Sequence, residues 1–221
     1  MRGLKTPLCD LLGIDLPLFG FAHSTEVVAA VSGRGAVGIF GGTRNTPEEI
    51  TSELAAIRSQ VGAKPTGIDL VLPKGMPQTA NRDAIEAEIP QGHREFVAGL
   101  WEKYEVPPPS EPGMRSRFVR SEEVAAAQIE AALESDIEVF ACGIGAPPEV
   151  VSRAKMLGKV TVALVGSRRH AEAALAANVD LIVAQGTDAG AHTGPIGTFS
   201  LVPQVVDVAG DIPVVAAGGV A

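Results

Sequence analysis

Aromatic side chains are scarce, with seven Phe, one Trp and one Tyr making up 4 % of the 221 residues. Modules that work by stacking rings along a helix face are therefore disfavoured. Only two cysteines are present, Cys9 and Cys142, far apart and outside any C-x-x-C or Cys/His spacing. That excludes a disulfide framework and gives no pattern for a metal site, and it suits a reduced, cytoplasmic protein. Basic residues are outnumbered, 18 Lys plus Arg against 26 Asp plus Glu, for a net charge of −8. Such a surface repels a phosphate backbone, so no nucleic-acid partner is expected. No window approaches the roughly 18 uninterrupted apolar residues of a membrane span, and residues 1–10 lack the apolar core of a signal peptide, so no membrane partner is expected.

What remains is an ordinary globular composition, 46 % apolar and 20 % charged, with 25 Gly and 16 Pro. It is long enough for one large domain with a substantial core. Short apolar runs alternate with longer segments of helical periodicity, as a parallel sheet covered by crossover helices requires. The runs at 16–21, 36–40, 66–72, 137–142, 159–165, 181–184 and 212–217 predict seven strands. Helices are predicted at 25–32, 47–61, 121–134, 148–157, 168–178 and 201–209. Thr46-Pro47-Glu48-Glu49 and Ser121-Glu122-Glu123 carry helix start signals: a capping hydroxyl, acids in the first turn and, after Thr46, a proline at the first position. Within 47–61 the residues Ile50, Leu54, Ile57 and Val61 form one apolar stripe. Segment 73–120 breaks the alternation and reads as an insertion, with one or two short helices in 84–104 interrupted at Pro90 and an extended Pro107-Pro108-Pro109.

Seven βα units in strict order predict an α/β fold of the TIM-barrel (β/α) type, one unit short of eight, with the insertion after the third strand. An open doubly wound sheet would also account for the length. In a parallel barrel the functional face lies past the carboxyl ends of the strands. After the sixth strand the chain runs from Gln185 to Gly194 with three glycines and no large apolar side chain, which lets backbone approach a flat or anionic ligand. Gln185 stands at the strand tip with an amide that both donates and accepts. His192 projects from this bare loop, and histidine is the side chain suited to taking and returning a proton near neutral pH. Gly218-Gly219 follow the seventh strand, where barrels hold phosphate.

These residues resemble the flavin-dependent nitronate monooxygenases. The family's A-Q-G-x-E-A-G-G-H-x-G stands here as Ala184 to Gly194, and its I-P-V-I-A-A-G-G-I-A as Ile212 to Ala221. Weaker likeness runs through Gly13-Ile14-Asp15-Leu16-Pro17, Ala29-Ala30-Val31-Ser32 and Gly67-Ile68-Asp69-Leu70. The resemblance implies a single FMN-binding barrel domain over 1–221, with 73–120 inserted, lacking its C-terminal eighth unit. It implies FMN contacts at Gln185, Gly190, Gly218 and Gly219, and His192 as catalytic base. Asp69 stands where the family usually has a flavin-binding asparagine, and Gly20-Phe21-Ala22 where it has the isoalloxazine contact after the first strand. Ala191 replaces a family glycine. The implied reaction oxidises a small nitronate or nitroalkane with molecular oxygen, and self-association is left open. Two alternatives stay open: an FMN-dependent enoyl-thioester reductase sharing the A-G-G-H-x-G loop, and a non-catalytic barrel fragment.

Overall fold

The computed structural model describes residues 4–110 and 119–220. Positions 111–118 of the expected insertion lie outside the described residues. The chain divides into two compact units, one comprising Met1–Lys74 with Ala127–Ala221 and the other Gly75–Ala126. In the larger unit, strands β1 (Phe19–Ala22), β2 (Val37–Gly41), β3 (Thr66–Val71), β4 (Val139–Gly143), β5 (Val160–Val165), β6 (Leu181–Gln185) and β7 (Val214–Ala217) pair in parallel in chain order. A sequential order without reversal is that of a barrel, and it rules out the doubly wound alternative. Every residue of β2 and β4 is buried, which requires cover on both faces of the sheet.

Outside the sheet run α2 (Thr25–Gly33), α3 (Pro47–Val61), α7 (Pro148–Met156), α8 (Arg168–Ala176) and α9 (Thr198–Ala209). Helix α3 begins where the sequence reading places it. The Thr46 hydroxyl accepts from the Glu49 N–H at 3.2 Å, and the Glu49 carboxylate accepts from the Thr46 N–H at 2.9 Å. Its buried residues are Ile50, Leu54, Ile57 and Val61, the expected stripe.

Inside, Val37, Ile39, Val139, Ala141, Val162, Leu181 and Val183 form one cluster with Leu8, Cys9, Leu12 and Ile14. The last four belong to, or directly follow, α1 (Pro7–Leu12), a helix the sequence reading missed. Six residues are too few for a periodic signal, and only Pro7 at its start and Gly13 in the left-handed conformation at its end mark it.

Three strand starts are corrected, and β4 is one of them, beginning at Val139 and not at residue 137. The first strand begins at Phe19 and not at residue 16, because Pro17 has no N–H and Leu18 is 58 % exposed, offering the ladder only its carbonyl to the Val37 N–H at 3.0 Å. It also runs to Ala22, so Gly20, Phe21 and Ala22 are strand residues and not a loop. The seventh strand begins at Val214, two residues late, since Pro213 gives only its carbonyl, to the Ile182 N–H at 3.1 Å. β1 and β7 end the sheet without pairing with each other among the described residues. Between these edges lies a groove of about 810 Å³ lined by both, Leu18 and Phe19 on one side and Val214 to Gly219 on the other.

In the smaller unit, α4 (Arg82–Ala87) and α5 (Gln91–Lys103) are separated at Pro90, as the proline requires. α6 (Glu122–Glu134) begins in this unit and ends in the larger one. No helix among the described residues is long and apolar enough to cross a membrane.

Candidate active site

Strand alternation decides which side chains reach the barrel mouth. In β2, Val37 and Ile39 point into the interior cluster, so Gly41 points the same way at the strand's carboxyl end. Asp69 is its register partner on β3, and Ala141 the next partner on β4. Gln185 of β6 pairs with Ala217 of β7. On β1, Phe19 packs against the interior cluster and Phe21 shares its side. Gly20 faces the other way, and a Cβ there would stand 2.7 Å from the Val31 side chain. Its glycine is thus required by α2 packing, and among Gly20, Phe21 and Ala22 the alternation brings Phe21 to the mouth.

Asp69 is 6 % exposed. The backbone N–H of Gly143 donates to its carboxyl group, and Oδ1 has no partner among the described residues. Gly143 leaves room for this carboxyl, since even a Cβ there would lie 3.4 Å from both oxygens. Burial pushes the Asp69 carboxyl up to about 7, against which the Gly143 bond pulls weakly downward. Asp69 is therefore not simply the charged acceptor that its sequence position suggests. Near neutrality much of it is the neutral acid, whose O–H donates as an amide N–H would.

The loop after β6 is folded and not bare. Thr187–Ala189 form a short 3₁₀ turn, the Gly186 N–H donates to Ala217 O at 3.0 Å and the Thr187 N–H to Ile196 O at 3.0 Å. The Asp188 carboxylate accepts from the Thr198 N–H at 2.7 Å, which holds this acid below the usual carboxylate range. This bond across ten residues starts α9 at Thr198, three residues ahead of the sequence expectation, because a non-local cap leaves no local signal. Thr198 Oγ1 donates to Ala217 O at 3.2 Å, so the loop, α9 and β7 share one set of bonds. Gly194 crosses Gly166 after β5 so closely that a Cβ on either would meet the other's backbone within 2.6 Å.

His192 is exposed, and its backbone carbonyl accepts from Gln185 Nε2 at 3.4 Å. Gly190 has φ +71 with nothing within 4 Å of a built Cβ. Gly218 and Gly219 also have positive φ, and their Cβ positions are taken by the same loop, Ala189 N at 2.6 Å and Asp188 Cβ at 3.1 Å. Ala191 adopts φ +57, a left-handed conformation costing an alanine about 1–2 kcal/mol. We expect Ala191→Gly to raise the unfolding free energy by about 1 kcal/mol in urea denaturation, and no gain would show that the loop relaxes around the alanine.

One mouth residue, His23, escaped the sequence reading. Its Nδ1–H donates to Gly41 O at 2.9 Å, and its ring meets Phe21 edge-on at 5.2 Å between centroids. The only sequence signal was its place directly after a strand, before a helix capped by Ser24.

A parallel barrel whose strand ends gather a glycine loop, a buried acid and two histidines has the layout of a TIM-barrel enzyme's functional face. The chain belongs to the nitronate monooxygenase family, whose model matches residues 5–221. It is 39 % identical over 99 % of its length to Rv1533 of Mycobacterium tuberculosis, named as an inferred monooxygenase, and covers 60 % of that protein. It is 28 % identical over 98 % of its length to a Staphylococcus aureus protein named as a probable nitronate monooxygenase, covering 61 % of it. Among solved structures, the nitroalkane oxidase of Streptomyces ansochromogenes superposes with a TM-score of 0.72 at 28 % identity, over 97 % of this chain and 61 % of that one. The chain thus spans about three fifths of the length of the curated relatives it matches.

Proposed function

We propose that this chain carries the flavin-dependent oxidation of small alkyl nitronates by molecular oxygen, with FMN seated across the carboxyl ends of the strands. The observation that carries the reading is Asp69 Oδ1, a buried polar atom with no partner among the described residues. Buried polar atoms are almost always satisfied, so an orphan aimed into a barrel mouth points to a ligand that completes it. A flavin ring edge, with both donors and acceptors, fits a carboxyl that can act as either. Asp69, Gln185 and Gly190 would hold the ring and ribityl region, with Phe21 and its strand neighbours Gly20 and Ala22 beside them. Gly218 and Gly219 would hold the phosphate end.

Bound FMN supplies the electron acceptor and the route to oxygen. The remaining chemistry is the protein's own. His192 takes the α-proton of a neutral nitroalkane, leaving the nitronate anion. The bonds of Asp188 and Gln185 keep the loop bearing His192 over the mouth. Family membership, the glycine loop and the orphaned carboxyl support this assignment together.

The test is a visible spectrum of the purified protein followed by oxygen uptake. We expect a yellow protein that consumes oxygen with ethyl nitronate and does not oxidise NAD(P)H when crotonyl thioester is added. Nicotinamide oxidation with the thioester would move the assignment to the enoyl-thioester reductases. A colourless protein that takes up no FMN would leave a barrel without a flavin role.

A further inference from the structure

The mouth carries a second histidine whose ring is better fixed than that of His192. Gly41 points into the barrel, and a Cβ built on it would lie 2.6 Å from His23 Nδ1 and 2.6 Å from Phe21 Cζ. The imidazole therefore rests over the interior side of β2 and not against the outer helices. Only glycine at position 41 leaves it that seat. A carbonyl oxygen can only accept, so the 2.9 Å contact with Gly41 O places a proton on Nδ1, and in the neutral imidazole the lone pair then lies on Nε2. The edge contact with Phe21 restrains the ring from the other side. A backbone carbonyl that fixes the tautomer of an exposed imidazole is what a general base needs. The strand beside this seat carries Asp69, the register partner of Gly41.

His23 and His192 also stand on opposite walls. His23 follows β1 and seats its ring over Gly41 at the end of β2, and His192 lies in the loop after β6, so that from this seat to β6 is four places in the sheet order. β1 and β7 line one groove from its two sides. In a barrel of eight places, four steps are half the circumference.

We propose that His23 is a second catalytic base facing His192, so that a carbon acid held between them gives up its α-proton from either face. This rests on the reading that the site oxidises nitronates. The C–H bond breaks, its proton passes to Nε2 of whichever histidine it faces, and its electron pair stays in the planar nitronate. Both enantiomers of a secondary nitroalkane give the same nitronate. A site with one base accepts one hand well, whereas a site with two opposed bases accepts both.

The experiment measures oxygen uptake by the FMN-loaded protein with (R)-2-nitrobutane, (S)-2-nitrobutane and preformed butane-2-nitronate. We expect wild type to use all three. His23→Asn keeps a donor for Gly41 O but has no base, and it should lose one enantiomer by about 10²-fold or more in kcat/KM while keeping the nitronate. His192→Ala should lose the opposite enantiomer. A His23→Asn variant that matches wild type on both hands overturns the proposal and leaves the function standing. Equal loss on both hands and on the nitronate also overturns it, since that pattern marks a binding or structural role. A wild type that binds FMN but does not oxidise the nitronate overturns the function and the two-base site with it.

Discussion

Asp69→Asn is expected to make the ligand-free protein markedly more stable at pH 8 and to change it little near pH 4. A carboxyl whose ordinary value is 3.8 and which burial raises to about 7 in the fold binds its proton more tightly folded than unfolded. Below pH 4 both states are protonated and the burial costs nothing extra. As pH rises from 4 to 7 the unfolded chain ionises freely while the folded one resists, so stability falls through that window. Above 7 the full penalty remains, on the order of 4 kcal/mol for a displacement of about three pH units. An amide of the same shape carries no such penalty. Urea denaturation of both proteins at pH 4.5 and 8 reads the difference directly, and a gap that is the same at both values would show Asp69 to be solvated. FMN retention should follow the same titration. The neutral acid can donate to an electron-rich ring edge, so wild type should hold FMN more tightly at pH 6 than at pH 8. The asparagine variant should show no such slope in a fluorescence titration.

The same residue shows what the sequence could and could not disclose. Strand and helix order were legible because each βα unit repeats a local pattern, apolar runs of strand length followed by capped amphipathic helices such as Pro47–Val61. The glycine loop was legible because so many small residues in a row cannot form a core. Asp69 was visible as an acid in place of an amide, but its protonation depends on burial and on the Gly143 N–H, both set by strands far away in sequence. Likewise the start of α9 depends on Asp188, ten residues upstream, and the seat of His23 on Gly41, eighteen residues downstream. Cross-strand and cross-loop contacts of this kind have no periodicity to reveal them. The α1 plug was hidden for a different reason, since a single turn and a half of helix leaves too few positions for a stripe.

His192→Ala should split neutral nitroalkanes from their anions. For the enantiomer of 2-nitrobutane that presents its hydrogen to the β6 loop, kcat/KM should fall by about 10²- to 10⁴-fold, the usual contribution of a positioned base to a step in which a proton moves. On butane-2-nitronate the same variant should stay within a few-fold of wild type, because that substrate has already lost the proton. The loop geometry favours a clean comparison. His192 is exposed, and the bonds that fix its loop come from backbone groups, Asp188, Gln185 and Thr198, none of which involves the imidazole. Removing the ring should therefore leave the loop, the melting temperature and FMN content unchanged. Steady-state oxygen uptake with both substrates, beside a visible spectrum of each preparation, decides the matter. An equal fall on nitroalkane and nitronate with FMN retained would mean that His192 holds the anion and does not take the proton.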